Sequence, residues 1–160
     1  MSAAVDDVLD AFQSAWSGGA RAGFARCCAV DVHYEDPFSN GPIEGIDRLV
    51  DHASRLWAAF PGARLERAGE RLTDGRFVAA PCRLVARHTG DLPRMPATGR
   101  SVTIHAVLYC ELEPDGERLW RVRAFFDPYD AGVQLGALPK HGTFGERALL
   151  MLRGFGLRSG

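Results

Sequence analysis

The chain lacks the features that mark membrane and nucleic-acid-binding proteins. No apolar run approaches the length needed to cross a bilayer, and the N-terminus has no basic region followed by an apolar run. The formal net charge is only -1, and the Arg residues are scattered among acids, so no basic field would attract nucleic acid. We therefore expect a cytoplasmic protein with no membrane and no nucleic-acid partner.

Motifs for metals, cofactors and nucleophilic catalysis are also missing. The sequence has no Ser-His-Asp order, no phosphate loop and no dinucleotide fingerprint. The five histidines lie on separate predicted elements without ligand spacing. The four cysteines also lack metal-site spacing, since Cys27 and Cys28 are adjacent and Cys82 and Cys110 fall inside predicted strands. We expect reduced structural thiols, no metal and no cofactor.

The first half of the chain is predicted to be mainly helical. With 160 residues, 46% of them hydrophobic and 24% charged, the composition is that of one soluble globular domain. Apolar residues recur at helical spacing from Val5 to Trp16, where Gly18-Gly19 ends the helix and Ser2 is a candidate cap. A short helix over residues 21–28 and a strand over 30–36 follow. A second apolar stripe begins at Ile46 and ends at Pro61-Gly62, which predicts a third helix.

The second half is predicted to be mainly strands. Residues 64–72 and 76–88 flank Thr73-Asp74-Gly75, and residues 100–113 and 117–127 flank Pro114-Asp115-Gly116, so each pair predicts a hairpin. Short helices are predicted over 131–138 and 145–152. The fold class is α+β, with a cone-shaped, curved antiparallel sheet packed against the N-terminal helices and enclosing a central cavity.

The segment His33-Tyr34-Glu35-Asp36-Pro37 is the most informative for function. Pro37 stops the predicted strand because it has no backbone N–H, which leaves Asp36 at the strand end. A carboxylate beside an apolar interior can serve as a general base, because desolvation raises its pKa. The alternative is an aspartate that only organises the turn before Pro37.

The order of these elements resembles the nuclear-transport-factor-2-like superfamily over about residues 3–138. Glu35-Asp36-Pro37 and the helix from Ile46 resemble ketosteroid isomerases, whose general base is the Asp of that motif. The segment 123–127, ending in Asp127, and Gln134-Leu135-Gly136 resemble SnoaL-like polyketide cyclases, in which an Asp at this place is the acid/base. The resemblance implies domain 1–138, a C-terminal extension over 139–160, and a homodimer formed by sheet-face packing.

The chain departs from the isomerase pattern at its hydrogen-bond donors. The position of the donor Tyr on the first helix is occupied by Phe12, which has no donor. The position of the second donor falls near Leu108 or Tyr109, so Tyr109 is the phenol that could polarise a carbonyl oxygen.

Strand alternation suggests which side chains share the cavity. If Asp36 points inward, so does Tyr34. If the face of the penultimate strand that holds His105 and Tyr109, and the face of the last strand that holds Arg123, Phe125 and Asp127, also line the cone, these groups meet. The catalytic candidates are then Asp36, Asp127, Tyr109 and His105, and the substrate-binding candidates are Tyr34, Phe12, Trp57, Arg123 and Phe125.

The function expected from these residues is cofactor-independent proton transfer next to a carbonyl of a hydrophobic small molecule. Steroid-like isomerisation and polyketide ring closure both belong to this chemistry. One alternative is a non-catalytic small-molecule-binding or dimerisation module. A lower-ranked alternative is an epoxide hydrolase, in which Arg123 would lie between Asp36 and Asp127 around a water.

Overall fold

The computed structural model describes residues 3–93 and 95–152 as five helices and seven strands. The helices are α1 (Ala3–Gly18), α2 (Arg21–Cys27), α3 (Ile46–Ala59), α4 (Pro128–Leu135) and α5 (Phe144–Leu152). The strands are β1 (Cys28–Glu35), β2 (Ile43–Glu44), β3 (Arg64–Arg67), β4 (Leu72–Thr73), β5 (Phe77–Arg87), β6 (Ser101–Leu112) and β7 (Leu119–Phe126). Among the described residues, no helix is long and apolar enough to span a membrane. The predicted cap Ser2 lies outside the described residues.

The strands form one curved, unclosed sheet in the order β2-β1-β7-β6-β5-β3, and β4 also pairs with β5. Neighbouring strands are antiparallel except β1 and β7, which run parallel with Glu35 opposite Arg123. The predicted α+β fold is confirmed, with the sheet mixed rather than purely antiparallel. Because β1 and β7 run in parallel, Asp36 and Asp127 both follow the ends of strands that point the same way.

The core lies between the helices and the inner face of the sheet, in two clusters. The larger cluster packs α1, α2 and α3 onto the sheet, with Leu9, Phe12, Phe24 and Leu49 fully buried. The smaller cluster lies at the other end of α3. Its buried members are Ala59, Phe60, Ala63, Ala86, Val102 and Leu135. Helix α3 therefore runs from one cluster to the other.

The predicted strand over residues 64–72 is broken into β3 and β4, and Pro81 explains the break. The N–H of Ala68 donates to the carbonyl of Pro81 at 3.0 Å, so this residue of β5 faces β3. Pro81 has no N–H to return, and the antiparallel ladder ends there. The chain then turns Arg71 inward, where its fully buried guanidinium bonds to Asp6 and Asp10 of α1.

Helix α4 begins three residues earlier than expected, at Pro128. The Asp127 carboxylate accepts hydrogen bonds from the N–H groups of Tyr129 and Asp130, at 2.8 and 3.2 Å, and so caps the helix. Proline fits the first helical turn because its missing N–H is not needed there. Gly136, with φ of 80°, ends the helix in the left-handed region.

Candidate active site

Asp36 is held at the end of β1 by four hydrogen bonds. Its Oδ1 accepts from the N–H groups of Phe38 (2.7 Å) and Ser39 (2.9 Å). Its Oδ2 lies 3.0 Å from the Tyr34 hydroxyl and 2.7 Å from Nε2 of His52. The turn bonds orient the carboxylate, and the other two bonds connect it to the interior. Asp36 therefore combines both of the roles that the sequence left open, turn organisation and an inward-facing carboxylate.

His52 is the nearest titratable neighbour of Asp36. Its side chain is 16% exposed and that of Asp36 is 7% exposed, so the pair lies at the edge of the interior. An ionised carboxylate can only accept, so the hydrogen of this bond belongs to His52 Nε2. In the neutral ring the other nitrogen, Nδ1, carries a lone pair, and it makes no hydrogen bond within the described residues. The pair has the geometry of a carboxylate that orients a histidine base.

The surroundings shift the pKa values of Asp36 and Tyr34 in opposite directions. Burial pushes the pKa of Asp36 upward, but the His52 hydrogen bond and charge, with the Phe38 N–H and the Tyr34 hydroxyl, outweigh it and leave the pKa below its usual value. Burial, with the adjacent Asp36 charge, raises the pKa of Tyr34 well above its usual value. Asp36 is therefore ionised and Tyr34 is a neutral donor at physiological pH.

Four partly exposed apolar side chains lie between the two core clusters, and we call the surface that they form the apolar cleft. On the inner face of the sheet, Leu84, Ile104, Ala106 and Phe126 remain partly exposed, whereas their inward neighbours on either side are buried. Leu84 pairs with Ile104, and Ala106 pairs with Phe126, so the four side chains are contiguous. These four side chains are the part of the inner sheet face that stays accessible, where the central cavity was expected.

The cleft reaches the Asp36–His52 pair from two directions. The ring of Phe38, two residues after Asp36, packs on that of Phe126, with centroids 5.3 Å apart. Leu56 lies one helical turn beyond His52 and packs against both clusters. Two surface hollows, of about 530 and 280 Å³, lie elsewhere, and Asp36 lines neither.

The expected faces of the last two long strands are reversed. Val102, Leu108 and Cys110 of β6 point into the core, which places His105 and Tyr109 on the outer face. Tyr109 is 46% exposed and its ring stacks on Phe77 there. The prediction that His105 and Tyr109 face the cavity is wrong. The face of a strand that becomes buried is the one with the more apolar set of alternating residues, and in β6 that set is the other one.

The same correction applies to β7. Val122 and Ala124 are buried, so Arg123 and Phe125 lie on the outer face. Arg123 Nη2 bonds Glu35 at 2.6 Å, an ion pair on the outer surface of the sheet. Within the described residues Arg123 does not lie between two inward carboxylates, so the arrangement required for epoxide hydrolysis is not formed.

The remaining candidates divide between core and surface. Asp127 is exposed and its carboxylate caps α4. Phe12 is fully buried against Phe24, with ring centroids 5.8 Å apart. Trp57 donates its indole N–H to the carbonyl of Trp16 at 2.7 Å. Of the nine predicted site residues, only Asp36 and Tyr34 are joined by a hydrogen bond.

His52 is the site residue that the sequence analysis missed. Among the histidines the sequence indicates only His105 as a catalytic candidate, and none has the spacing of a metal ligand. Within residues 3–93 and 95–152, no three His, Cys, Asp or Glu side chains are grouped so that they could hold a metal ion. The available signal was helical periodicity, because His52 lies beside the inward stripe of Leu49, Ala53 and Leu56 on a helix that starts ten residues after Asp36.

Comparison with known proteins identifies the family of this chain. Residues 6–135 match the family described as SnoaL-like polyketide cyclase. The chain belongs to the SnoaL-like polyketide cyclase family. Membership supports a cyclase- or isomerase-type function in general terms and the binding of a small-molecule substrate. No curated protein sequence matches the chain.

Solved structures share the fold at low sequence identity. TsrD from Streptomyces laurentii has a TM-score of 0.74 at 20% identity, with 86% of this chain and 98% of TsrD covered. A candidate polyketide cyclase from Acidithiobacillus ferrooxidans has a TM-score of 0.73 at 22% identity, with 85% and 96% covered. A hypothetical protein with a ketosteroid isomerase-like fold from Catenulispora acidiphila, in complex with trimethylamine, has a TM-score of 0.67 at 13% identity, with 81% and 92% covered.

Proposed function

We propose that this SnoaL-like protein is a cofactor-independent acid/base enzyme that moves a proton next to a carbonyl group of a hydrophobic small molecule. The observation that carries the proposal is the Asp36–His52 pair, 2.7 Å apart at the edge of an apolar cleft. In this proposal His52 exchanges the proton with the substrate. Asp36 orients the His52 ring through its hydrogen bond and supplies a negative charge beside it.

His52 is better suited than Asp36 to take the proton. Both oxygens of Asp36 already accept two hydrogen bonds each, and all four stabilise its ionised form. Such a carboxylate is a weak base. In its neutral form His52 offers the Nδ1 lone pair, and an imidazole is suited to accept and return protons near neutral pH.

The proposed reaction needs no redox partner. The Cα–H bond of the substrate breaks, its proton bonds to His52 Nδ1, and the electron pair forms an enolate. The Asp36 charge stabilises the imidazolium that results. In an isomerisation the proton returns to a different carbon of the substrate. In a ring closure the enolate carbon bonds to a second carbonyl carbon, and the proton of His52 passes to the new alkoxide oxygen.

The cleft indicates the substrate class. Its walls are the side chains of Leu84, Ile104, Ala106 and Phe126, which offer no hydrogen-bond partners. A flat, largely apolar molecule such as a fused-ring enone or a cyclising polyketide fits such walls, with its reacting carbon towards His52.

Turnover by single variants tests the proposal. Candidate enones and polyketides are incubated with wild type, His52→Gln and Asp36→Asn, with Asp31→Asn as the matched control, since Asp31 is an exposed aspartate of the same strand. We expect the first two variants to lose about 100-fold or more of the rate, the usual contribution of a positioned acid/base. Wild-type rates in both variants would end the proposal.

A non-catalytic binding module is the second candidate. The mutual packing of the Phe12, Trp16 and Phe24 rings favours it, because these side chains fill interior space that an enclosed cavity would need. The two functions differ in outcome: a binding module would show saturable binding of hydrophobic ketones, unchanged by His52→Gln, and no turnover.

We also propose a homodimer formed through the outer face of the sheet. Val107, Tyr109 and Phe125 are adjacent there and 40 to 53% exposed. A patch of three large side chains on a sheet face is suited to a self-complementary contact. Light scattering should give the mass of a dimer for wild type and of a monomer for Val107→Glu; a monomeric wild type would refute the dimer.

A further inference from the structure

A surface groove of about 530 Å³ lies at the start of β6, away from the Asp36–His52 pair. It is lined by Arg100, Ser101, Asp130, Val133, Gln134, Lys140 and His141. These residues come from three separate parts of the chain: the β6 entry, helix α4 and the segment that follows it. The groove therefore depends on how residues 139–146 are held against α4.

That segment is anchored by specific contacts. The Tyr129 hydroxyl donates to the carbonyl of Pro139 at 2.8 Å, and the Tyr129 ring stacks on His141 with centroids 4.1 Å apart. Glu146 accepts from Gly142 N–H at 2.6 Å and pairs with His141 Nδ1 at 2.6 Å. Both oxygens of Glu146 are thus hydrogen-bonded. Lys140 lies between Pro139 and His141, which are both held by these contacts.

The two full positive charges of the groove are not neutralised. Within the described residues, no carboxylate lies within 4.0 Å of the side-chain nitrogens of Arg100 or Lys140, and neither side chain makes a hydrogen bond. Asp130, the one acid in the lining, accepts a hydrogen bond from Gln134 at 2.7 Å. Most arginines within the strands do have carboxylate partners, whereas these two groove cations have none among the described residues.

The guanidinium of Arg100 rests directly on the backbone at Gly136. A Cβ at Gly136 would lie 2.6 Å from Arg100 Nη1 and 2.7 Å from Cζ, so only glycine leaves room for the guanidinium in this position. Arg100 is therefore presented to the groove across the end of α4. Its planar set of donors matches the oxygens of a carboxylate or a phosphate.

We propose that this groove binds the anionic head group of an organic acid, a carboxylate or a phosphate ester, between Arg100 and Lys140. The volume exceeds that of a small inorganic ion, and Val133 supplies an apolar wall for the organic part. The site is independent of the acid/base proposal, and it gives the predicted C-terminal extension 139–160 a role, because Lys140 and His141 belong to it.

Lys140 is the only lysine of the chain, which permits a selective test. Reductive methylation with ¹³C-formaldehyde labels Lys140 Nζ and the N-terminal amine, keeps both charges, and provides an internal control signal. The full-length protein is titrated at low ionic strength with inorganic phosphate, acetate, phenyl phosphate and benzoate. We expect saturable shifts of the Lys140 signal alone, with the two aromatic acids binding more tightly than the inorganic ion or acetate.

Variants decide whether the groove is responsible. Arg100→Gln should weaken binding about fivefold, the upper end of the range for an exposed charge pair. Arg118→Gln is the matched control. Arg118 is exposed in the turn between β6 and β7, so this variant should leave the affinity unchanged. The proposal is overturned if neither aromatic acid shifts the Lys140 signal, if the N-terminal signal shifts equally, or if both variants bind alike.

Discussion

His52 Nε2 lies 2.7 Å from Asp36 Oδ2, although 16 residues separate them in the chain. The contact forms because α3 reverses the direction of the chain after β1 and packs on the inner face of the sheet, which brings the second turn of the helix over the strand end. The Tyr34 hydroxyl bonds to the same oxygen at 3.0 Å. Strand, turn and helix thus each supply one part of the same polar cluster.

The first prediction concerns the pH dependence of stability. The folded pKa of Asp36 lies below its unfolded value of about 3.9, so its stabilising effect is complete above that pH and is lost as the pH falls through the folded pKa. Asp36→Asn should therefore lower the free energy of unfolding at pH 7 by about 1.5 to 3 kcal/mol, the range for hydrogen bonds to a charged group. Urea titrations at pH 7 and pH 3 measure the difference, which should shrink at pH 3. An equal difference at both pH values would contradict the assignment.

The second prediction tests whether Phe12 is a core residue or a substrate-binding residue. Phe12→Ala should destabilise the fold by about 3 to 5 kcal/mol, because Phe12 is fully buried against Trp16 and Phe24. Thermal unfolding followed by circular dichroism measures the loss. If Phe12 instead contacts substrate at an open site, the variant would retain its stability and lose only ligand affinity.

The third prediction concerns Gln134, which closes the free edge of β6. Beyond the end of β7, its amide accepts from Thr103 N–H at 2.8 Å and donates to Thr103 C=O at 2.9 Å, as a paired strand would. Gln134→Ala should cost about 1 kcal/mol and increase the hydrogen-exchange rate of the Thr103 amide. Unchanged exchange in Gln134→Ala would show that the edge is protected by other contacts.

Helices with strong periodicity could be predicted almost to the residue, as could the strand end at Asp36. α1 and α3 match because their apolar stripes and terminal glycines are local signals. The inner face of β6 could not be chosen from alternation alone, since a period of two defines two faces without saying which is covered. His52 was missed because its partner is defined by tertiary packing of α3 on β1, which no local pattern records.

The same reasoning explains the break after β3 and the start of α4. Pro81 lies in a different strand from the residues it interrupts, so the break after Arg67 depends on the register of β3 with β5. The Asp127-Pro128 pair, by contrast, is a local helix-start signal that was available in the sequence. The prediction of a catalytic role for Asp127 did not use that signal.

The fourth prediction distinguishes Asp36 from Asp127 by the activity of their asparagine variants. Asp127→Asn should retain wild-type activity, because asparagine is an equally good helix cap and Asp127 is exposed. Asp36→Asn should not retain it. Rates measured side by side on the same substrate decide the point, and a large loss in Asp127→Asn alone would move the acid/base role to the end of β7.

The most direct test of the central claim is deuterium exchange at the carbon next to the carbonyl of a bound hydrophobic enone, followed by NMR in deuterated water. This measurement detects proton removal whatever product the natural reaction yields. We expect exchange by wild type and by Asp31→Asn, and a rate lower by a factor of about 100 or more in His52→Gln. Exchange by His52→Gln at the wild-type rate would contradict the assignment of His52 as the group that takes the proton.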